Sequence, residues 1–99
     1  MILVVDIGNT TVSFGGVTVS PRGEYRVIFT TKLDTDTNWD PADYTVALIK
    51  KLRALGRERE SFTGIVISSV VPKVLDTVRE SMLSVFALEP LIVTCESDL

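Results

Sequence analysis

The chain has 99 residues, of which 45% are hydrophobic and 23% charged, and its net charge is −3 at pH 7. This length and composition predict one globular domain, and the acidic balance argues against nucleic-acid binding, which usually needs a basic surface. The absence of histidine excludes histidine metal ligands, Ser-His triads and imidazole bases, and a single cysteine, Cys95, excludes an intrachain disulfide.

The first predicted element is a strand, Ile2–Ile7, whose apolar run is typical of a strand buried on both faces. The run is too short for a signal peptide or a membrane span and contains Asp6, so we expect a cytoplasmic protein. A tight polar turn follows at once. It begins with Gly8, which can adopt a turn conformation closed to other residues, and continues with Asn9–Thr11.

This strand and turn predict a site for a nucleotide phosphate with Mg²⁺. The turn offers backbone N–H groups and hydroxyls to an anion, and Asp6 can hold a cation beside it. The same residues have a second interpretation. Gly-Asn followed by threonine is ordinary β-hairpin chemistry, and an aspartate at a strand end often only caps a turn, so the motif by itself leaves both open.

Two further strands are predicted, from about Thr11 to Ser20 and from Tyr25 to Leu33, with a turn between them. Gly15-Gly16 lies inside the first of these, which indicates a bulge or a close approach by another backbone or a ligand. The third strand has an alternating, half-buried pattern. The residues predicted to share its apolar face are Tyr25, Val27 and Phe29.

A helix is predicted after the polar loop 34–40. Asp40 followed by Pro41 supplies an N-cap carboxylate and then a proline at the first helical position. Asp43 lies in the first turn, where the helix dipole favours a negative charge, and Gly56 ends the helix. Its predicted apolar stripe consists of Tyr44, Leu48, Leu52 and Leu55.

The second half of the chain predicts a strand, a helix and a short last strand. After a charged loop, Arg57–Ser61, comes the apolar run Gly64–Val70, and Pro72 opens the second helix. The last strand is Leu91–Thr94, and no helix is predicted after it. The apolar stripe of the second helix consists of Leu75, Val78, Met82, Val85 and Phe86.

The element order is therefore β-β-β-α-β-α-β. Three leading strands fit an antiparallel meander, and the later strands, each reached through a helix, fit parallel crossovers. This predicts an α/β fold with a five-stranded mixed sheet in one domain, residues 1–99. It is the ribonuclease H-like layout, which the actin, hexokinase and Hsp70 class of phosphotransferases uses twice.

Several motifs resemble one family. Asp6–Thr10, with Gly15 five residues after Thr10, is similar to the D-x-G-N-T-x-x-x-x-G opening of type III pantothenate kinases, also called the Bvg accessory factor family. Thr35-Asp36 resembles that family's T-D step, and Tyr44 fits its D-E-Y segment. Ile67–Pro72 matches its I-S-S-V-V-P nearly letter for letter, which is the most specific signal. The resemblance covers the whole chain in order.

The resemblance implies two ribonuclease H-like halves with ATP between them, of which residues 1–99 would be the N-terminal half. Asp6 would hold Mg²⁺ through water. The residues implied to wrap the ATP phosphates are Gly8, Asn9, Thr10, Thr11, Val12 and Ser13. Those implied to shape the cleft are Ser68, Ser69 and Pro72, and for the two serines we favour a structural role, because strand-end serines often cap helices.

The same resemblance places the remaining machinery beyond Leu99. There we expect the G-x-D-R segment with the general base, the D-x-G-T second phosphate motif, the K⁺ or NH₄⁺ site and most of a homodimer interface. Residues 1–99 would then contain no catalytic residue and would be inactive alone. The implied substrates of the full-length protein are ATP and pantothenate, in the first step of coenzyme A biosynthesis, with no nucleic-acid or membrane partner.

The chain also departs from the family pattern. Trp39-Asp40 lies where the family often has Arg-Thr, and Ala42-Asp43-Tyr44 replaces the family's D-E-Y. The roles of these positions therefore stay open. Cys95 lies where the family varies and receives no role.

Other functions of the same fold remain as alternatives. A non-catalytic nucleotide-binding or regulatory module, or a scaffold, would keep the nucleotide loop without the pantothenate residues. A nuclease needs several carboxylates converging on two metal ions, whereas the fourth predicted strand ends in Ser68-Ser69 without an acid. The sequence beyond Leu99 in the parent gene would discriminate between the kinase and a binding module.

Overall fold

A computed structural model describes residues 1–35, 38–58, 61–69 and 71–94 of the chain. The predicted order of strands and helices is confirmed, and the observed ends of the second and third strands differ from the predicted ones by a single residue each. The elements are β1 (Ile2–Ile7), β2 (Thr11–Val19), β3 (Tyr25–Asp34), α1 (Pro41–Ala54), β4 (Gly64–Ser69), α2 (Pro72–Phe86) and β5 (Leu91–Thr94).

The five strands form one mixed sheet in the order β3-β2-β1-β4-β5. The pairs β1–β2 and β2–β3 are antiparallel, and the pairs β1–β4 and β4–β5 are parallel. The predicted meander and crossovers are therefore confirmed. The central position of β1 means that the turn at its carboxyl end lies near the middle of one edge of the sheet.

One face of the sheet carries the core. Leu3, Val5 and Ile7 of β1 are fully buried among the residues of both helices, whereas Val4 and Asp6 are exposed. The prediction that β1 is buried on both faces is therefore wrong. The crossovers β3-α1-β4 and β4-α2-β5 advance in the same direction across the sheet, so two right-handed connections place both helices on the same face. The other face, which we call the open face, carries Asp6.

The start of α1 has the predicted cap. The Asp40 carboxylate accepts a hydrogen bond from the Asp43 N–H at 2.9 Å, and the Asp43 carboxylate accepts one from the Asp40 N–H at 3.0 Å. Gly56, with a φ of +69°, follows the helix end. Leu55 is 41% exposed, and its assignment to the apolar stripe is wrong, because it is the C-cap residue and lies beyond the last helical turn.

The buried face of α2 contains a polar residue that the predicted stripe left out. Val74 and Ser81 are buried, whereas Leu75 is only half-buried. Ser81 faces Thr45 of α1, and the two hydroxyl oxygens are 2.7 Å apart. This hydrogen bond satisfies a serine that would otherwise be costly to bury between the helices. Neither α1 nor α2 is long and apolar enough to cross a membrane.

The strand β3 contains a bulge that changes which residues share a face. Phe29 pairs with Gly16 and Val27 pairs with Val17, so Ile28 has no partner in β2. Phe29 packs against the core, whereas Tyr25 and Val27 are 78% and 63% exposed. The predicted common face for these three residues is wrong, because the extra residue breaks the alternation.

The expected close approach at the paired glycines is found at Gly16. A Cβ there would lie 2.2 Å from Cε1 of Phe29 and 2.7 Å from Sδ of Met1. Replacing Gly16 by alanine is therefore expected to destabilise the fold by about 1–3 kcal/mol through overpacking. The melting temperature should fall by about 5 °C or more, which thermal unfolding followed by circular dichroism would measure.

The matched control for this variant is Gly15→Ala on the same strand. A Cβ at Gly15 would meet its nearest atoms at 3.5 Å and 4.0 Å, which are ordinary contact distances. Gly15→Ala should therefore change the melting temperature little. Equal melting temperatures for the two variants would contradict the close packing of Phe29 on Gly16.

Candidate phosphate-binding site

The turn between β1 and β2 is fixed by one hydrogen bond within the turn and by two from Thr35, the residue after β3. Its first residue, Gly8, donates its N–H to the Thr11 carbonyl at 2.8 Å. Thr35, which follows β3, donates its hydroxyl to the Gly8 carbonyl at 3.0 Å and its N–H to the Thr10 carbonyl at 2.9 Å. Asn9 and Thr10 are exposed. The turn is thus anchored at both ends, while its tip is open to a ligand.

The conformation of Gly8 differs from the expectation. Among the described residues, the glycines with positive φ are Gly23 and Gly56, so Gly8 does not use a backbone conformation closed to other residues. Space is the reason for glycine here instead, because a Cβ on Gly8 would lie only 3.3 Å from the Thr11 carbonyl oxygen. The turn closes tightly because this position has no side chain.

Asp6 lies on the open face, one residue before the end of β1, and it is exposed. It pairs with Ser13 of β2 on one side and with Ser68 of β4 on the other. Ser13 in turn pairs with Lys32 of β3. Paired positions of neighbouring strands present their side chains to the same face. These four residues therefore form one polar row across the sheet.

The polar row borders a shallow groove of about 380 Å³ on the open face. Asp6, Ser13 and Lys32 line it toward the carboxyl end of β1. Val17 and Val27 line it toward the other end of that strand. The site therefore combines a carboxylate, a hydroxyl and an ammonium group beside the anchored turn.

The number of carboxylates at the site determines which metal ion it could bind. Within the described ranges there is no group of three or more His, Cys, Asp or Glu residues that could enclose a metal ion. A lone exposed carboxylate suits Mg²⁺, which keeps several waters and is usually bound through one or two carboxylates and the phosphates of a substrate. Asp6 thus fits a magnesium ion that arrives with a nucleotide.

The remaining candidate residues divide by the face on which they lie. Val12 is fully buried in the core, so only its backbone can reach a phosphate. Ser68 is on the open face next to Asp6 and is half-buried. Ser69 is buried, and its hydroxyl accepts from the Val71 N–H at 3.0 Å and donates to the Val71 carbonyl at 3.1 Å. These contacts support the structural role that we favour for Ser69.

The step from β4 to α2 follows directly after these serines. Pro72 is the first residue of α2, as expected from its position in the motif, and it is exposed. The preceding residue, Val71, is the N-cap and makes no side-chain capping bond. The two hydrogen bonds from Ser69 therefore order the backbone just before the helix begins.

Trp39 covers the start of α1. Its ring meets that of the buried Tyr44 edge to face, with the ring centres 5.0 Å apart. Tyr44 is thus part of the core and not of an exposed site. Three positions singled out in the sequence, Asp36, Val70 and Cys95, lie outside the described residues, as do residues 59–60 and 96–99.

Two residues of the site, Thr35 and Lys32, could not be predicted from the turn motif alone. The hydroxyl of Thr35 anchors the turn, although the sequence offered this residue only as part of a family resemblance. Lys32 belongs to the polar row, and the sequence offered no signal for it, because its position depends on the bulge in β3.

Comparison with known proteins agrees with the motifs. A family model for type III pantothenate kinases matches residues 2–99. The chain is 30% identical to a type III pantothenate kinase of Bifidobacterium adolescentis over 93 residues, covering 94% of this chain and 34% of that protein. It is 33% identical to that of Bifidobacterium longum over 94 residues, again covering 94% and 34%. The chain thus spans about a third of the length of the curated relatives it matches.

Solved structures support the fold. The RuvC structure of Thermus thermophilus superposes with a TM-score of 0.64 at 12% identity, over 94% of this chain and 63% of that one. At such low identity the likeness concerns the fold alone, and it confirms the ribonuclease H-like arrangement. Because the family model matches almost the whole sequence, the chain belongs to the type III pantothenate kinase family, and it corresponds to the N-terminal part of those kinases.

Proposed function

We propose that this chain is the N-terminal, phosphate-binding domain of a kinase that transfers a phosphoryl group from ATP to pantothenate, the first step of coenzyme A biosynthesis. The observation that carries the proposal is the anchored turn after β1 with Asp6 exposed beside it on the open face. Membership of the type III pantothenate kinase family supplies the reaction and both substrates.

The turn contributes mainly through its backbone. The phosphates of ATP lie against Gly8–Ser13, where the N–H groups of the exposed residues Asn9 and Thr10 and the hydroxyls of Thr10, Thr11 and Ser13 are hydrogen-bond donors for anionic oxygens. The two bonds from Thr35 keep the turn in place before the nucleotide binds. Binding then costs little ordering of the turn, which favours affinity.

Asp6 positions the magnesium ion of the nucleotide through water. Magnesium supplies positive charge that offsets the charge on the phosphate oxygens during transfer. Ser68, which pairs with Asp6, shapes the adjoining wall of the site. Ser69 and Pro72 shape the cleft indirectly, since they order the step from β4 into α2.

The remaining parts of the kinase belong to a second half that follows residue 99. That half supplies the general base, the second phosphate motif, the site for K⁺ or NH₄⁺ and most of the interface of a homodimer. The full-length protein acts in the cytoplasm. A regulatory protein that binds nucleotides on the same fold without transferring phosphate is the alternative, because the anchored turn and Asp6 would serve nucleotide binding alone equally well.

The test is a coupled assay of the purified full-length protein with ATP, Mg²⁺ and pantothenate. We expect ADP to form only when pantothenate is present and phosphopantothenate to appear in equal amount. Binding of ATP without any turnover over a range of pantothenate concentrations would favour the regulatory alternative. Absence of ATP binding would reject both.

A further inference from the structure

The turn that receives the phosphates in the proposed function has no positive charge of its own. The first 21 residues, which include β1, the turn and β2, contain neither lysine nor arginine. A nucleotide triphosphate is strongly anionic, and a bound cation or a positioned ammonium group is the usual way to stabilise it. If phosphates bind here, any side-chain cation that contacts them beside the magnesium ion must come from another part of the fold.

The register of the sheet places one such cation beside the turn. Lys32 pairs with Ser13, and Ser13 pairs with Asp6, so Lys32 and Asp6 lie on the same face with one strand between them. Neighbouring strands are about 4.8 Å apart, which separates the two backbones by about 10 Å. The long side chain of Lys32 can therefore reach over Ser13 from one side while Asp6 acts from the other.

Lys32 is available for a ligand. Its side chain is exposed, and it lines the groove together with Asp6 and Ser13. Within residues 1–35, 38–58, 61–69 and 71–94, neither the Lys32 ammonium nor the Asp6 carboxylate has an ion pair or a hydrogen bond. The Lys32 ammonium and the Asp6 carboxylate thus lie two strands apart and do not neutralise each other. A site for a magnesium-bound phosphate needs both charges free, one for the phosphate and one for the metal ion.

Other basic residues are less well placed. The strands contain only one other basic residue, Arg26, which pairs with Thr18 near the far end of β3 and on the face opposite to Val27. Arg79 of α2 is paired with Glu89. Lys73 lies in the first turn of α2, which packs on the core face of the sheet. Among the described strand residues, Lys32 is therefore the cation on the face of Asp6.

We propose that Lys32 is a binding residue for the phosphates of the nucleotide, donating hydrogen bonds from its ammonium group to their oxygens on the side of the turn opposite to Asp6. This inference rests on the proposed function and deepens it. It assigns the positive charge of the site to β3, a strand that contributes none of the residues of the phosphate motif. An arginine at position 32 would keep the charge, whereas a glutamine would keep only a hydrogen-bond donor.

The test uses the full-length protein with Lys32→Gln and Lys32→Arg, and with Arg26→Gln as a matched loss of charge on the same strand. Affinities for ATP and for adenosine are measured by calorimetry, and KM and kcat are measured for both substrates. We expect Lys32→Gln to weaken ATP binding about tenfold or more and to leave adenosine binding unchanged. Lys32→Arg should retain most of the ATP affinity, and Arg26→Gln should bind ATP as tightly as the wild-type protein.

Each other outcome overturns the inference. Unchanged ATP affinity in Lys32→Gln would show that the ammonium group does not contact the phosphates. A raised KM for pantothenate with unchanged ATP affinity would assign Lys32 to the acceptor. Equal losses for ATP and adenosine would indicate a structural effect, which the melting temperature checks. If the unchanged protein binds no ATP, the proposed function itself fails, and this result is distinct from all of the others.

Discussion

Replacing Asp6 by asparagine in the full-length protein is expected to lower kcat/KM by about a hundredfold or more, because a contact to the transition state typically contributes several kcal/mol. The amide has nearly the size and shape of the carboxylate but no negative charge with which to position magnesium. The stability of the fold should change little. Asp6 is exposed, and within the described part of the chain its carboxylate has neither a hydrogen bond nor an ion pair.

The measurement compares kcat/KM and the melting temperature at saturating Mg²⁺. Asp40→Asn is a matched control, because Asp40 is the N-cap of α1 and asparagine caps helices about as well as aspartate. It should change neither quantity much. If Asp6→Asn keeps the kcat/KM of the unchanged protein, or loses activity only in step with folded protein, Asp6 is a structural residue and our site is wrong.

The second large effect concerns the 99-residue chain by itself, which we expect to show no pantothenate-dependent turnover. Phosphoryl transfer needs the nucleotide, its metal, the acceptor and a positioned base together in a site that excludes water. Asp6 and the polar row lie instead on an open sheet face, and the groove beside them is shallow. The described part of the chain also contains no histidine and no cluster of carboxylates near the turn.

A coupled assay of the isolated chain, run beside the full-length protein at equal concentration, tests this expectation. Circular dichroism of the isolated chain would establish that it is folded, so that a loss of turnover is not a loss of structure. ATP- and pantothenate-dependent release of ADP by the chain alone would contradict the expectation. It would also mean that residues 1–99 contain a base that we have not identified.

The sequence by itself determined the elements, their order and the position of the turn. Asp40-Pro41 and Gly56 marked the ends of α1 because capping is local chemistry, read from residues close together in the chain. The motif from which we predict phosphate binding is equally local, since Asp6 and the turn are adjacent in sequence. The family resemblance was visible for the same reason, because its motifs are short runs such as Ile67–Pro72.

Only the tertiary structure decided which faces are covered and which side chains meet. The run Ile2–Ile7 looked buried on both faces, but the direction of the two crossovers leaves one face open, and no local pattern records that direction. The bulge opposite Gly16 turned Val27 away from the face of Phe29. It also fixed the register that places Lys32 opposite Ser13. Register depends on strand pairing over many residues, so the place of Lys32 on the same face as Asp6 became visible only in the folded sheet.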